Sequence, residues 1–103
     1  MSVSIICAAI KSRNQISFQY SLGDEPGPRL VEPYMIGYNR ANQLALSAWF
    51  LAGNSESGEG QWWREYLLSG IRNVVVLSQH FTPPRPNYNP TGGKLFQSVQ
   101  CAV

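Results

Sequence analysis

The sequence predicts a mainly β fold: a small, partly open β-barrel of about five strands, with an N-terminal helix and a C-terminal irregular arm. Three observations predict it. Short stretches alternate between apolar and polar residues at hairpin spacing, one helical stripe opens the chain, and proline, asparagine and glycine concentrate in residues 82–94. A chain of 103 residues suffices for one modest core. We therefore expect residues 1–103 to form a single domain.

The helix is predicted at the N-terminus. Ser2 is a suitable N-cap, and Val3, Ile6, Cys7 and Ile10 then form an i, i+3, i+4, i+7 apolar stripe. Such a stripe would cover one end or one open face of a sheet.

The first two strands are separated by a turn-rich loop. Residues 15–21 alternate cleanly between apolar and polar side chains, which predicts a strand. Residues 23–28 contain two glycines, two prolines and two acidic residues, which predicts a loop. A second strand begins at residues 29–31, and Pro33 interrupts it in a way that suits a sheet edge or a bulge.

The central strands follow. Residues 43–52 form the longest apolar strand, and residues 53–60 are the most flexible loop that the composition predicts. Residues 61–68 are predicted as a strand, and Ser69 and Gly70 as a turn. Residues 72–77, with the β-branched run 74–76, are predicted to continue as a strand. Beyond the arm at residues 82–94, a final strand is predicted over residues 95–103.

The composition limits the possible functions. The net charge of +2 is too small to indicate nucleic-acid binding by itself. Only 14% of residues are charged while 12% are aromatic, which suggests that some surface is buried against another domain or subunit. There is no apolar run of membrane-spanning length and no signal-peptide pattern, so a cytoplasmic location is expected.

Cysteine and histidine usage predicts neither a metal site nor a cofactor. Cys7 and Cys101 are expected to be two buried, reduced thiols, since disulfides are uncommon in that compartment. A single histidine, His80, and the absence of a C-x-x-C pair leave no credible set of metal ligands.

No motif indicates catalysis. The acidic residues lie mostly in turns, and none pairs with another on one strand face as an acid/base couple would. His80 has no serine or cysteine nearby in a nucleophile motif. Residues 91–94 match the end of a phosphate-binding loop, but the upstream glycine is missing and Leu95 replaces the hydroxyl residue. The chain is therefore predicted not to be an enzyme.

The strand around Arg64 is the best candidate for binding. Alternation places Trp62, Arg64, Tyr66 and Leu68 on one face. A guanidinium beside aromatic rings suits planar anions or stacked bases, although an exposed arginine is more often simply solvated.

The order of several short motifs resembles the WYL domain, a ligand-sensing module of many bacterial transcription regulators and of some CRISPR and phage-defence accessory proteins. The resemblance runs from about Ile5 to Val76. Two departures stand out: the family's W-Y-L triplet falls on residues 44–46, which read Leu-Ala-Leu, and Gly70 stands where a second arginine is common. The matching positions are Phe18, Tyr20, Arg29, Pro33, Arg64, Tyr66, Leu68 and Ile71.

The resemblance implies an Sm-like barrel and a non-enzymatic regulatory role. The implied ligand is an anionic nucleotide or a single-stranded nucleic acid, and the implied partner is the DNA-binding domain of a regulator or a defence effector. A homo-oligomer is also expected. The predicted ligand-binding residues are Arg64, Ser47, Tyr66, Arg72 and Arg29.

An alternative function is structural. The altered triplet and the low charge also suit a barrel that has lost its ligand site and mediates protein–protein assembly. On this hypothesis the proline-rich arm from Thr82 to Pro90 packs across a neighbouring subunit.

Overall fold

A computed structural model describes residues 2–23, 26–53 and 61–103. The described chain is mainly β with one N-terminal helix, as predicted, and it contains six strands rather than about five. In chain order the elements are α1 (Ser2–Ser12), β1 (Asn14–Tyr20), β2 (Gly27–Asn39), β3 (Leu44–Gly53), β4 (Trp62–Leu67), the 3-10 turn η1 (Leu68–Gly70), β5 (Ile71–His80) and β6 (Phe96–Ala102).

The strands form one antiparallel sheet in the order β4-β3-β2-β1-β5. The long strand β2 organises it: residues 27–31 pair with β1, residues 35–39 pair with β6, and β3 runs along the other side. Among the described residues, β4 and β5 form no ladder with each other, so the sheet is open.

Pro33 lies inside β2 and does not end it. The β2–β3 register shifts between Pro33 and Met35, and beyond this irregularity β2 changes partner from β1 to β6. Proline has no N–H to donate, so a bulge is one of the few positions in a central strand that accepts it. Of the two predicted alternatives, a sheet edge or a bulge, the register shift in this central strand fits the bulge, and the strand is much longer than the predicted residues 29–31.

The two faces of the sheet have different cores. We call "inner face" the one that bears Phe18, Val31, Leu46 and Tyr66; α1 packs near it through its buried stripe. The opposite "outer face" bears an aromatic cluster covered by the arm. That cluster comprises Tyr34, Trp49 and Phe81, with Trp63 and Tyr88 packed against it.

The arm is irregular, as predicted, and it lies across the sheet of its own chain. Trp63 Nε1 donates to the carbonyl oxygen of Pro86 at 2.6 Å. Arg85 donates two hydrogen bonds, of 2.8 and 2.7 Å, to the carboxylate of Glu32, which is only 3% exposed. Arg85 of the arm is thus used within the chain, and the arm's Pro86 carbonyl binds Trp63.

The prediction of two reduced thiols is wrong, because Cys7 and Cys101 form a disulfide. The bond joins α1 to β6, at residues separated by 94 positions, with the two Cα atoms 5.8 Å apart. That separation is within the normal disulfide range. The sequence argument rested on compartment alone, and no local pattern reveals that the helix stripe would face the last strand.

The remaining differences are at element ends. The predicted flexible loop at residues 53–60 lies outside the described residues, except for Gly53 at the end of β3. The predicted turn at Ser69 and Gly70 is the 3-10 turn η1, and β5 extends to His80. In the described part of the chain, no helix is long and apolar enough to cross a membrane.

Candidate ligand-binding site

Tyr66 lies at the centre of an aromatic group on the inner face. It pairs in register with Leu46 of β3, and its ring meets those of Phe18 at 5.1 Å and Tyr20 at 5.0 Å, both edge-on. The Tyr20 hydroxyl accepts a hydrogen bond of 3.0 Å from the backbone N–H of Leu67. Because β1 and β4 are not neighbours in the sheet, these contacts mean that the sheet curls and brings the two strands together.

The hydroxyl of Tyr66 is buried and makes no hydrogen bond of good geometry with the described residues. Burial raises the pKa of Tyr66 to about 12, and the nearby guanidinium groups of Arg29 and Arg64 only partly oppose that shift. The hydroxyl therefore stays protonated at neutral pH, and it can both donate and accept. The Arg29 side chain interacts with this hydroxyl, but not with the geometry of a well-formed hydrogen bond. A buried hydroxyl that is only weakly bonded is unfavourable, which makes it a candidate contact for a ligand.

Arg29 supplies the first cation of the site. It lies opposite Phe18 in the β1–β2 ladder and is only 5% exposed. Its Nη1 donates to the carbonyl oxygens of Gly27 and Pro28, each at 3.2 Å, and its guanidinium lies 5.7 Å from the centre of the Tyr20 ring. These contacts fix the orientation of a nearly buried side chain.

Arg64 supplies the second cation. It is half-buried on β4, opposite Ala48 and on the same face as Tyr66, as alternation predicts. Its guanidinium lies 5.3 Å from the centre of the Phe50 ring, and its Nη1 donates to the carbonyl oxygen of Trp63 at 3.1 Å. A guanidinium held over a ring keeps its planar set of donors in one orientation, which suits a planar anion or a phosphate.

The other two predicted site residues lie elsewhere. Ser47 is on the outer face, in register with Met35 and Glu65. Arg72 is exposed on β5, where it lines a surface hollow beside Ser2 at the start of α1. The structure thus brings together Arg29, Arg64 and Tyr66, and it does not bring Ser47 or Arg72 to them.

Sequence reasoning missed two residues of the site. Tyr20 and Phe50 each stack beneath a guanidinium, and Tyr20 also holds β4 through its hydroxyl. The alternation of β1 placed Tyr20 on the correct face, but only the curl of the sheet brings it to Tyr66. In the described ranges, no group of three or more histidine, cysteine, aspartate or glutamate side chains is placed to hold a metal ion.

Comparisons with known proteins agree with this architecture. The chain is similar to Proteasome accessory factor B/C (PafBC) of Arthrobacter aurescens, with 26% identity and a TM-score of 0.67. The similarity covers 85% of this chain but only 13% of PafBC. No curated protein matches the sequence. The family model of the WYL domain matches residues 2–76, which is most of the chain, and the chain therefore belongs to the WYL domain family.

Proposed function

We propose that this chain is a non-enzymatic regulatory module that binds an anionic, nucleotide-like or single-stranded nucleic-acid ligand on its inner face. Ligand binding would change the activity of a transcription regulator or a defence effector. The curled sheet would act as an Sm-like barrel that holds the ligand contacts. The match of the WYL family model to residues 2–76 supports the regulatory part of the proposal.

One observation carries the choice of site. Two oriented guanidinium groups, those of Arg29 and Arg64, lie near the buried hydroxyl of Tyr66, and the interaction of that hydroxyl with Arg29 is not a well-formed hydrogen bond. The guanidinium groups favour a phosphate or another planar anion, and the neighbouring rings favour a stacked base. Ser47 and Arg72 lie away from these residues, so the proposed site does not include them.

The expected affinity follows from the number of contacts. Each hydrogen bond to a charged group contributes about 1.5–3 kcal/mol. Two or three such bonds, with one stacked base at about 1–3 kcal/mol, would support dissociation constants in the micromolar range. Because the contacts are partly electrostatic, binding should weaken as salt rises.

Fluorescence anisotropy tests the proposal. Labelled single-stranded DNA, single-stranded RNA and duplex DNA are titrated with the protein at low and near-physiological salt, and nucleoside mono- and diphosphates are added as competitors. Arg64→Gln should weaken binding at least tenfold because it removes the charge and the forked donors. Failure of every nucleic acid and nucleotide to bind at low salt would reject the ligand class.

Arg13→Asn is a matched control for Arg64→Gln. Arg13 is exposed after α1 and has a positive φ of 61°, a conformation that asparagine tolerates well. The substitution removes the same charge, so it should change affinity only by a small, general electrostatic effect. Equal losses from the two variants would show that net charge, and not the inner-face site, governs binding.

A second candidate function is assembly, and one observation favours it. β5 pairs only with β1 among the described strands, and on this edge strand Val75 is 52% exposed and Val76 is 44% exposed. An apolar edge is a ready surface for pairing with a second copy. Size-exclusion chromatography with light scattering separates the two functions: a ligand-independent oligomer that Val75→Lys converts to a monomer would favour assembly.

A further inference from the structure

The outer face carries a cleft that is separate from the inner-face site. It has a volume of about 260 Å³ and lies between the sheet and the segment from Asn87 to Phe96. Met35, Trp63 and Tyr88 give it an apolar and aromatic lining, and Ser47 lies in its wall. The volume is slightly below the usual range for drug-sized ligands, which points to a small molecule of one or two rings.

The wall of the cleft is built by a set of hydrogen bonds within the arm. Asn89 Oδ1 accepts from the backbone N–H and the hydroxyl of Thr91, at 3.0 and 2.6 Å. Arg40 donates to the carbonyl oxygens of Gly93 and Lys94, both at 3.2 Å. These bonds fix the turn against the sheet, so the cleft is formed in advance of any ligand.

Gly92 allows the turn to pack closely against Phe96. It is buried with a φ of +87°, and a Cβ there would lie 3.1 Å from the Cβ of Phe96. Only glycine combines that backbone conformation with that contact.

The polar groups of the cleft favour a negatively charged ligand. Lys94 is the one charged residue among its lining residues, and it lies exposed at the rim. Glu65, which pairs with Ser47, is not part of the lining, and its carboxylate accepts a hydrogen bond of 2.8 Å from Asn39. The hydroxyl of Tyr88 is buried without a hydrogen-bond partner among the described residues.

We propose that this cleft binds a small planar aromatic molecule carrying one negatively charged group, with the ring against Trp63 and Tyr88 and the charged group at Lys94. The site is independent of the proposed function, because it lies on the other face of the sheet. The arm side of the cleft, from Asn87 to Phe96, also lies outside residues 2–76, which the family model matches. This side of the cleft is therefore not part of the family match.

The test uses 2-naphthoate as a probe and its neutral analogue 2-naphthamide, with binding followed by calorimetry and by tryptophan fluorescence. Naphthoate should bind saturably and about tenfold more tightly than naphthamide. Lys94→Gln should weaken naphthoate about tenfold and leave naphthamide unchanged. Lys11→Gln removes the chain's other lysine, which is exposed at the end of α1, and should change neither affinity.

A second variant tests the position of the ring. Ser47 is half-buried in the cleft wall on a strand, so Ser47→Leu should fill the cleft while keeping a good strand residue. It should abolish binding of both probes with little change in thermal stability. The proposal is overturned if naphthoate does not bind saturably up to millimolar concentrations. It also fails if Lys94→Gln and Lys11→Gln have equal effects, or if Ser47→Leu folds and still binds.

Discussion

Removing the hydroxyl of Tyr66 should stabilise the free protein and weaken ligand binding. The hydroxyl is on a side chain that is 4% exposed, and it makes no hydrogen bond of good geometry with the described residues. A buried hydroxyl without a partner destabilises a fold by about 1–3 kcal/mol. Tyr66→Phe keeps the ring contacts with Phe18 and Tyr20, so we expect a gain of about 1 kcal/mol, at the lower end because Arg29 lies nearby.

Tyr20→Phe is the matched control, because it removes a hydroxyl that is used. The Tyr20 hydroxyl accepts from the backbone N–H of Leu67, so its loss leaves that donor without a partner. We expect a loss of about 1 kcal/mol in the free energy of unfolding. Urea unfolding of the wild type and the two variants, with the disulfide intact, measures both effects as shifts of the midpoint in opposite directions.

Tyr66→Phe should weaken ligand binding even though it stabilises the free protein. If the Tyr66 hydroxyl contacts the ligand, Tyr66→Phe should weaken binding about tenfold, since a tenfold change corresponds to about 1.4 kcal/mol. If Tyr66→Phe destabilises the protein by as much as Tyr20→Phe does, the Tyr66 hydroxyl is already hydrogen-bonded in the free protein. Unchanged affinity in a stabilised variant would remove the hydroxyl from the ligand site.

Three further predictions concern the fold. Replacing both Cys7 and Cys101 by serine removes a cross-link between residues 94 positions apart. Urea unfolding should then give a free energy of unfolding lower by about 4–5 kcal/mol, and adding a reductant should destabilise only the wild type. Arg85→Met leaves the buried Glu32 carboxylate without its ion pair and should cost about 3 kcal/mol, most of which a Glu32→Gln substitution in the same chain should restore. Burial raises the pKa of Tyr34 from 10.0 to about 12, so the unfolded chain loses this proton first, and the stability that Tyr34 contributes should be full below pH 10 and fall between pH 10 and 12. Because burial raises the pKa of Tyr66 to about 12 as well, absorbance at 295 nm should show late tyrosine ionisations, of which Tyr34→Phe removes one.

Strand periodicity predicted which side chains share a face, but it did not predict which faces meet. Arg64 and Tyr66 are two positions apart on one strand, so their shared face follows from alternation alone. Arg29 reaches them because the sheet curls, and the curl is not encoded in a local pattern. Ser47 lies on the face opposite to Arg64, because the register between β3 and β4 decides which side chains share a face.

Long-range contacts explain the other differences. The Cys7–Cys101 bond and the Arg85–Glu32 ion pair join residues far apart in sequence, with separations of 94 and 53. Each depends on where the helix and the arm finally pack. Composition identified residues 82–94 as irregular, since proline and glycine disfavour regular structure locally. It carried no information on the surface that the arm would cover.

Nuclear magnetic resonance of the arginine side chains tests the inner-face site most directly. The Nε–Hε resonances of the six arginines are followed while a single-stranded oligonucleotide of about eight nucleotides is added. The account predicts that the resonances of Arg29 and Arg64 shift together and saturate, while those of Arg13 and Arg40 stay in place. Saturable shifts confined to Arg72 or Arg40, with Arg29 and Arg64 unchanged, would contradict it.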